Sequence, residues 1–187
     1  MNASNSFSNS ILIAMPMMND PFFHHAVIYL CEHQPEGAVG LIINHPMQFA
    51  ISMIFEQLNI QPIKVQLSQT PLLFGGPIQP ERGFVIHKQM GVWQSSLNLR
   101  KDVIITTSND IIRAIARDEG PKDMLVTLGF TGWGASQLEE EIKNDAWLVC
   151  PFKSELLYEV PFEKRWKYAG SLLGVDMDQL SSTGGTA

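Results

Sequence analysis

Two spacings of apolar residues alternate along the chain, and each predicts its own kind of element. Ile11 to Met15 is a short apolar run stopped by Pro16. His25 to His33 is a longer one whose Val27, Ile28, Tyr29 and Leu30 suit a pleated surface, so both read as strands. Pro35-Glu36-Gly37 supplies turn chemistry and Val39 to Ile43 follows at once. A connection this short cannot carry a parallel crossover, so the two strands form an antiparallel hairpin. Over Ala50 to Leu58 the period changes: Ile51, Ile54, Phe55 and Leu58 fall at i, i+3, i+4 and i+7, the stripe of a helix lying on a core, and Pro62 limits its length. Leu72 to Phe74, Phe84 to His87 and Val103 to Thr106 are further strands, the first followed by Gly75-Gly76-Pro77. Ser108 reads as the N-cap of a second helix, with Ile111, Ile112 and Ile115 facing inward and Gly120-Pro121 enforcing a stop.

Met124 to Leu128 is the next strand, and it runs into a loop, Gly129-Phe130-Thr131-Gly132-Trp133-Gly134-Ala135, that delivers the chain to a third helix. Ser136 and Glu139 have the spacing of a capping box at that helix's entrance. Asn144-Asp145 ends the helix, Ala146 to Cys150 is a strand before Pro151, and Leu156 to Val160 is another. Pro161 stands where a first-turn proline belongs, Phe162, Trp166, Ala169 and Leu173 mark the buried face of a final helix, and Gly174 caps it. The polar ends, residues 1–10 and 181–187, are expected to fray. No repeat, heptad or linker divides the chain, so residues 1–187 read as a single domain.

Composition narrows the function classes. At 187 residues, 45% apolar and 17% charged, the chain can bury one core. A net charge of −6 offers a duplex or an anionic membrane nothing broad to grip, which disfavours direct nucleic-acid binding. The first ten residues hold no Lys or Arg, and the apolar run Ile11 to Met18 is well short of a bilayer span, so neither export nor a membrane anchor is expected and the cytoplasm is the expected location. Cys31 and Cys150 stand outside any C-x-x-C pattern and read as buried free thiols.

The Gly129–Gln137 stretch is the first candidate for chemistry. A glycine-rich turn at a helix N-terminus presents unpaired N–H groups and partial positive charge, which favour a small anionic ligand. Equally, the glycines would serve a turn with positive φ, with Trp133 in the core. The pattern from Gly132 ends in Gln137 rather than glycine and no G-K-[ST] occurs, so neither a dinucleotide nor a P-loop nucleotide is expected, and no other cofactor is implied. The five histidines show no zinc spacing, and His24 and His25, placed on a strand, would point to opposite faces. Cys31 among apolar neighbours reads as packing. Glu139, Glu140 and Glu141 read as a solvated face with Lys143 as partner of Glu139. Lys164, Arg165 and Lys167 read as exposed charge beside a core Trp166, enough for one anionic group at most.

Several segments together resemble the YqgE/AlgH family of bacterial proteins. They are Leu12-Ile13-Ala14-Met15-Pro16, Asp20-Pro21-Phe22-Phe23, Gly37-Ala38-Val39-Gly40-Leu41-Ile42-Ile43-Asn44, Gly75-Gly76-Pro77, and Leu128-Gly129-Phe130-Thr131-Gly132-Trp133 followed by Gln137-Leu138-Glu139. The spacing holds through Asn144-Asp145-Ala146-Trp147-Leu148 to Leu173-Gly174-Val175-Asp176. His45 stands where the family usually shows arginine and Ser136 where glycine is common. The resemblance implies an α+β domain in the bacterial cytosol, its bent, mixed and partly antiparallel sheet forming a barrel-like core with flanking helices. It also carries a label of transcriptional regulator, an effect that the acidic composition makes indirect.

Asn44, Gly75, Gly76, Thr107, Gly129, Thr131, Gly132, Trp133, Gly134 and Gln137 are therefore the candidate ligand-binding residues, with no catalytic set assigned. The leading expectation is a non-enzymatic ligand-binding or regulatory protein. A hydrolase or transferase acting on a small anionic substrate is the rival, and it requires Asn44, Thr107, Thr131 and Gln137 to converge on one cleft. A module that contacts a protein partner in transcription is the third.

Overall fold

The apolar runs become strands of one curled sheet. The computed structural model describes residues 6–183. Along the chain lie β1 (Ser10–Ala14), β2 (Val27–Gln34), β3 (Gly37–Ile42), β4 (Pro46–Ala50), α1 (Ser52–Gln57), β5 (Pro71–Phe74), β6 (Ile78–His87), β7 (Ser96–Arg100) and β8 (Val103–Thr106). They are followed by α2 (Asn109–Ala116), β9 (Met124–Gly134), α3 (Gln137–Lys143), β10 (Trp147–Pro151), α4 (Ser154–Tyr158), α5 (Arg165–Ser171) and α6 (Met177–Thr183). The main order is β10-β1-β2-β3-β9-β6-β8-β7, with β4 on β5 and β5 on β9. Every pairing is antiparallel except β5 on β9. This is the bent, mixed, half-barrel α+β architecture that the resemblance implied. No helix among the described residues is long and apolar enough to cross a membrane.

Both faces of the central strands are covered, which is why β2 reads as an unbroken apolar run. Val27, Tyr29 and Cys31 enter the concave cluster with Leu156, Leu157, Trp166 and Met177 of α4 to α6. Ile28 and Leu30 enter the convex cluster with Trp133, Trp147 and Leu138 of α3. A third cluster lies under α1 and α2, where Phe55, Ile111, Ile112 and Ile115 meet Val85 and Val126.

Several expectations are corrected. Leu156 to Val160 is not a strand. Leu156 and Leu157 are adjacent and both buried, which suits one turn of helix, α4, laid on the concave face. β4 and β7 went unpredicted: Met47-Gln48-Phe49 and Leu97-Asn98-Leu99 do alternate apolar with polar, but each strand has five residues, β4 begins at a proline and β7 is an exposed edge, so the signal is short. α2 ends at Ala116, ahead of Gly120-Pro121, and Ser108, though at the N-cap position, caps no backbone N–H of the helix: its Oγ donates to Asp110 Oδ1 at 2.5 Å instead. Residues 6–10 are not frayed. Ser6 Oγ donates to the His33 carbonyl at 3.1 Å, Phe7 N–H donates to His33 Nδ1 at 3.0 Å, and Ser10 opens β1. At the other end Ser181 to Thr183 completes α6, while residues 1–5 and 184–187 lie outside the described residues.

The largest correction concerns the glycine-rich stretch. It is not a loop: β9 continues through it to Gly134, with Gly132, Trp133 and Gly134 paired to Val39, Ala38 and Gly37. On one edge β9 holds β5 along Val126–Leu128 and then β3 along Thr131–Gly134, while its other edge holds β6. The chain leaving β5 must therefore cross β9 to become β6, and it does so at Gly129. A Cβ on Gly129 would stand 2.2 Å from the Gly76 carbonyl oxygen, one on Gly75 2.3 Å from the Gly129 oxygen, and one on Gly76 2.2 Å from the Phe130 carbonyl. Gly129 also has φ +73. At Gly134 the nearest neighbour of a Cβ is 3.8 Å away, ordinary contact.

Gly129→Ala is accordingly expected to destabilise the fold by about 3 kcal/mol or to prevent folding, because strain in φ adds to a backbone clash. Gly134→Ala is expected to cost under about 1 kcal/mol. Urea denaturation of the two variants checks the pair, and equal losses would contradict the crossing as the reason for the glycine.

Candidate functional site

The polar side chains at the entrance to α3 bind one another and the sheet. Ser136 adopts φ 61, a left-handed conformation, and makes no capping bond, so the expected Ser136–Glu139 capping box is absent. The left-handed backbone is the conformation glycine adopts freely, which fits glycine being common there in the resembling family. Gln137 reaches back to the strand instead: its Oε1 accepts Gly134 N–H at 2.9 Å and its Nε2 donates to Glu141 Oε1 at 2.9 Å. Glu141 Oε2 accepts the indole N–H of Trp133 and of Trp147, each at 2.8 Å. Trp133 is 7% exposed and meets Trp147 edge-on, so it lies in the core. Glu139 Oε1 accepts a hydrogen bond from His33 Nε2 at 2.9 Å rather than pairing with Lys143. Of the three glutamates expected on a solvated face, two are thus tied to the sheet.

Other polar candidates are also committed. Asn44 is buried, accepting Val27 N–H through Oδ1 and donating to the His25 carbonyl through Nδ2, both at 2.8 Å, which fixes the start of β2. Thr131 is buried (1% exposed) where β9 meets Gly40 of β3. Arg165, expected to be exposed, is 3% exposed. Its guanidinium donates to the carbonyls of Val160 at 2.9 Å, Leu157 at 2.8 Å and Ile43, and burial lowers its pKa to about 10, so it stays charged at neutral pH. His24 and His25 occupy the turn before β2, not a strand. Their rings stack at 3.9 Å, and His25 stacks on Trp166 at 3.7 Å.

Beside the α3 entrance lies a recess of about 500 Å³ bordered by Phe7, His33, Ser136 and Glu139, and two clefts lie on either side of Phe84. One cleft of about 320 Å³ sits between α1, α2 and β6, with Ile54, Leu58, Ile112 and Leu128 as walls and Thr107 and Asn109 at its polar edge. A second of about 380 Å³ opens into the uncovered end of the concave face over Cys31, Leu41, Ile105 and Phe130, with Glu32 and Arg82 among its polar lining. Phe84 and Thr107 line both. The wall is shaped by an excursion in β6: Ile78 pairs with Phe130 and Gly83 with Leu128, so residues 79–82 stand opposite Gly129 alone. Irregularities of this kind re-aim side chains at barrel rims. Arg82, at the end of the excursion, lies over the Phe84 ring at 5.3 Å, and its hydrogen bond goes to neutral Gln79 at 3.3 Å. The Cys31 thiol is pushed up to about 12, by burial first and then by the neighbouring Glu32 carboxylate.

The ten sequence candidates therefore fall into separate places. Gly75, Gly76 and Gly129 meet backbone to backbone at the crossing; Gly132, Trp133, Gly134 and Gln137 lie along the end of β9 and the α3 entrance; Asn44 and Thr131 are buried in the frame. Thr107 alone of Asn44, Thr107, Thr131 and Gln137 lines either cleft, so the four do not converge. Sequence reasoning missed Glu32, Arg82 and Phe84. The available signal was Pro80-Glu81-Arg82-Gly83 inside a strand, since an interior proline marks an edge or a bulge.

The AlgH-like family model matches residues 11–178. A UPF0301 protein of Legionella pneumophila (strain Lens) is 64% identical over 182 residues, covering 97% of each chain. The UPF0301 protein Tgr7_2910 of Thioalkalivibrio sulfidiphilus is 45% identical across the whole of both chains. Among solved structures, the solution structure of the AlgH protein from Pseudomonas aeruginosa is similar with a TM-score of 0.80 at 38% identity, covering 100% of this chain and 99% of that one. Protein DIP2367 from Corynebacterium diphtheriae has a TM-score of 0.72 at 20% identity, covering 97% and 94%, a likeness of fold alone.

Two expectations follow from the polar frame. Glu141→Ala orphans two buried indole N–H groups and should cost about 3 kcal/mol, whereas exposed Glu140→Ala should cost under about 0.5 kcal/mol, as read by urea denaturation. The second concerns pH. His87 is 1% exposed, with Nδ1 toward the Lys88 carbonyl at 2.8 Å and Nε2 toward Thr106 Oγ1 at 2.9 Å. Burial lowers the pKa of His87, and of His25 and His45 likewise, from 6.5. The unfolded chain then binds more protons below that value, so stability is full above pH 6.5 and falls as pH drops toward the folded values. Denaturation midpoints across pH 4.5 to 8, roughly the window in which histidine titrates, should show this acid limb, with a shallower slope in His87→Gln.

Proposed function

The chain belongs to the AlgH-like family, as its resemblance to YqgE/AlgH proteins implied, and on that footing we propose that it is a non-enzymatic cytosolic protein that binds a small anionic molecule. The seat is the cleft at the open end of the half-barrel. The observation that carries this reading is the cleft itself: about 380 Å³, with an apolar floor and a guanidinium at the rim whose hydrogen bond goes only to an uncharged amide. That volume falls near the lower end of small-molecule sites, roughly 300–1,000 Å³, and barrel mouths are a common place for them. Arg82 supplies the anion contact, and Thr107, on the wall shared with the adjoining cleft, supplies a hydrogen bond.

Binding is favoured over catalysis by the groups that face this space. The one thiol at its floor stays protonated at neutral pH, and His87 is sealed among Lys88, Thr106 and the strands around it. The two free thiols, Cys31 and Cys150, suit a reducing compartment. Any influence on transcription would run through a protein partner that reads the liganded state, given the net charge of −6.

Thermal-shift measurements with small apolar carboxylates and organic phosphates check the proposal. A ligand present at about a hundred times its Kd should stabilise the chain by about 2.7 kcal/mol. Arg82→Gln should weaken carboxylates without lowering the unliganded melting point, and Phe84→Ala should weaken every ligand. No stabilisation by any member of either class at millimolar concentration, or stabilisation indifferent to Arg82, overturns it.

A further inference from the structure

The cleft at the open end of the half-barrel carries two opposite charges, and a strand irregularity delivers each of them. Up to Leu30, β2 and β3 keep one register, Tyr29 facing Leu41 and Leu30 facing Gly40; beyond it Glu32 faces Val39 and His33 faces Ala38. Cys31 is the extra residue of a β-bulge. Without it Glu32 would fall opposite Ala38, whose side chain belongs to the convex cluster under α3. With it Glu32 falls opposite Val39, which lines the cleft. The bulge thus turns a carboxylate from the convex face to the cleft. On the other side of the opening Arg82 ends the β6 excursion and shares a face with Phe84, the residue beneath it.

Neither charge is neutralised. Among the described residues neither Glu32 nor Arg82 makes an ion pair, and Arg82 donates to Gln79 and lies over the Phe84 ring. The two line one cleft without pairing with each other, above a floor of Cys31, Leu41, Ile105 and Phe130. A purely anionic ligand would satisfy Arg82 and leave its charge facing Glu32. A ligand with both signs satisfies each group in turn.

We propose that this cleft takes an amphoteric small molecule: an apolar body on the floor, a carboxylate or comparable anion at Arg82, and a primary or secondary amine, protonated, at Glu32. An apolar amino acid or a close relative of one has this chemistry. The proposal rests on the binding reading above and narrows its ligand. Because both rim groups are exposed, each contributes a screened interaction, worth up to about a fivefold change in affinity rather than orders of magnitude.

Calorimetric titration with two matched probe series tests it. One series is phenylalanine, N-acetylphenylalanine, 3-phenylpropionate and phenethylamine; the other is the corresponding leucine set. The free amino acid should bind about fivefold more tightly than the N-acetyl acid or the simple carboxylate. Glu32→Gln, which preserves shape, should erase that advantage while leaving the simple carboxylate unchanged or tighter. Arg82→Gln should leave the amine as the better probe. If free and N-acetylated acids bind equally, or Glu32→Gln leaves their ratio untouched, the amphoteric ligand is wrong and the anionic reading stands. If no probe of either series binds, the amphoteric ligand falls, and the anionic reading falls with it when the organic phosphates are silent too. Far-UV circular dichroism of the two variants confirms that they are folded when read.

Discussion

At one place two stretches of backbone pass with no room for a side chain on either. The chain leaves β5 on one edge of β9 and reappears as β6 on the other, and the crossing is made between Gly75-Gly76 and Gly129 at separations that a single Cβ would violate. Everything around β9 depends on that closeness. Its first half is held between β5 and β6, its second half by β3, and the switch falls at the crossing. A wider passage would part β6 from β9 and open the concave face whose uncovered end forms the cleft. The residues 79–82 that stand out opposite Gly129 belong to the same local solution: β6 regains register with β9 only at Gly83, and Arg82 reaches the rim on the way.

The helices are seated by polar anchors as much as by apolar contact. Glu141 holds α3 through indole groups from two different strands, Trp133 of β9 and Trp147 of β10. Arg165 gathers carbonyls from Leu157, Val160 and Ile43, so α5, the end of α4 and the end of β3 share one guanidinium, which also lies over Phe162 at 4.6 Å. Trp166 adds an indole bond to the Ala14 carbonyl at 2.8 Å. Apolar clusters define which face is buried; bonds with direction define where along the sheet each helix sits. Losing one partner of such a buried set costs more than the bond itself, because the groups left behind are shut away from water.

The physical origin of each feature decides whether the sequence displays it. β1, β2, β3, β5 and β8 were legible because their buried faces make near-continuous apolar runs, and the hairpin of β2 and β3 because two residues of turn admit one topology. The glycines were legible as demanding something, but backbone crossing and ligand approach call for the same residue. Only the register of β9 against β3, β5 and β6 separates them. Ser136 and Glu139 had cap spacing, yet the left-handed backbone at Ser136 comes with no capping bond, and Gln137 reaches back to Gly134 of β9. Glu141 could not be distinguished from Glu140 without knowing that two tryptophans from separate strands converge on it. Least legible was the cleft. The bulge at Cys31 carries no Gly or Pro to mark it, and a one-residue change of register moves Glu32 from one face of the sheet to the other.

The position of β9 in the chain has a consequence for synthesis. Gly37 of β3 waits for Gly134, and β5 and β6 wait for Met124 to Phe130, so three strands leave the ribosome before the strand that satisfies their edges exists. Until then the nascent chain can pair β1 with β2, β2 with β3, β4 with β5 and β8 with β6 and β7, but the edges of β3, β5 and β6 that β9 fills keep unpaired N–H and C=O groups, the kind of intermediate that associates with its neighbours or with a chaperone. Assembly of the half-barrel is therefore a late event. It waits on β9 for three strand edges and then on β10 for the edge of β1, rather than growing strand by strand from the N-terminus.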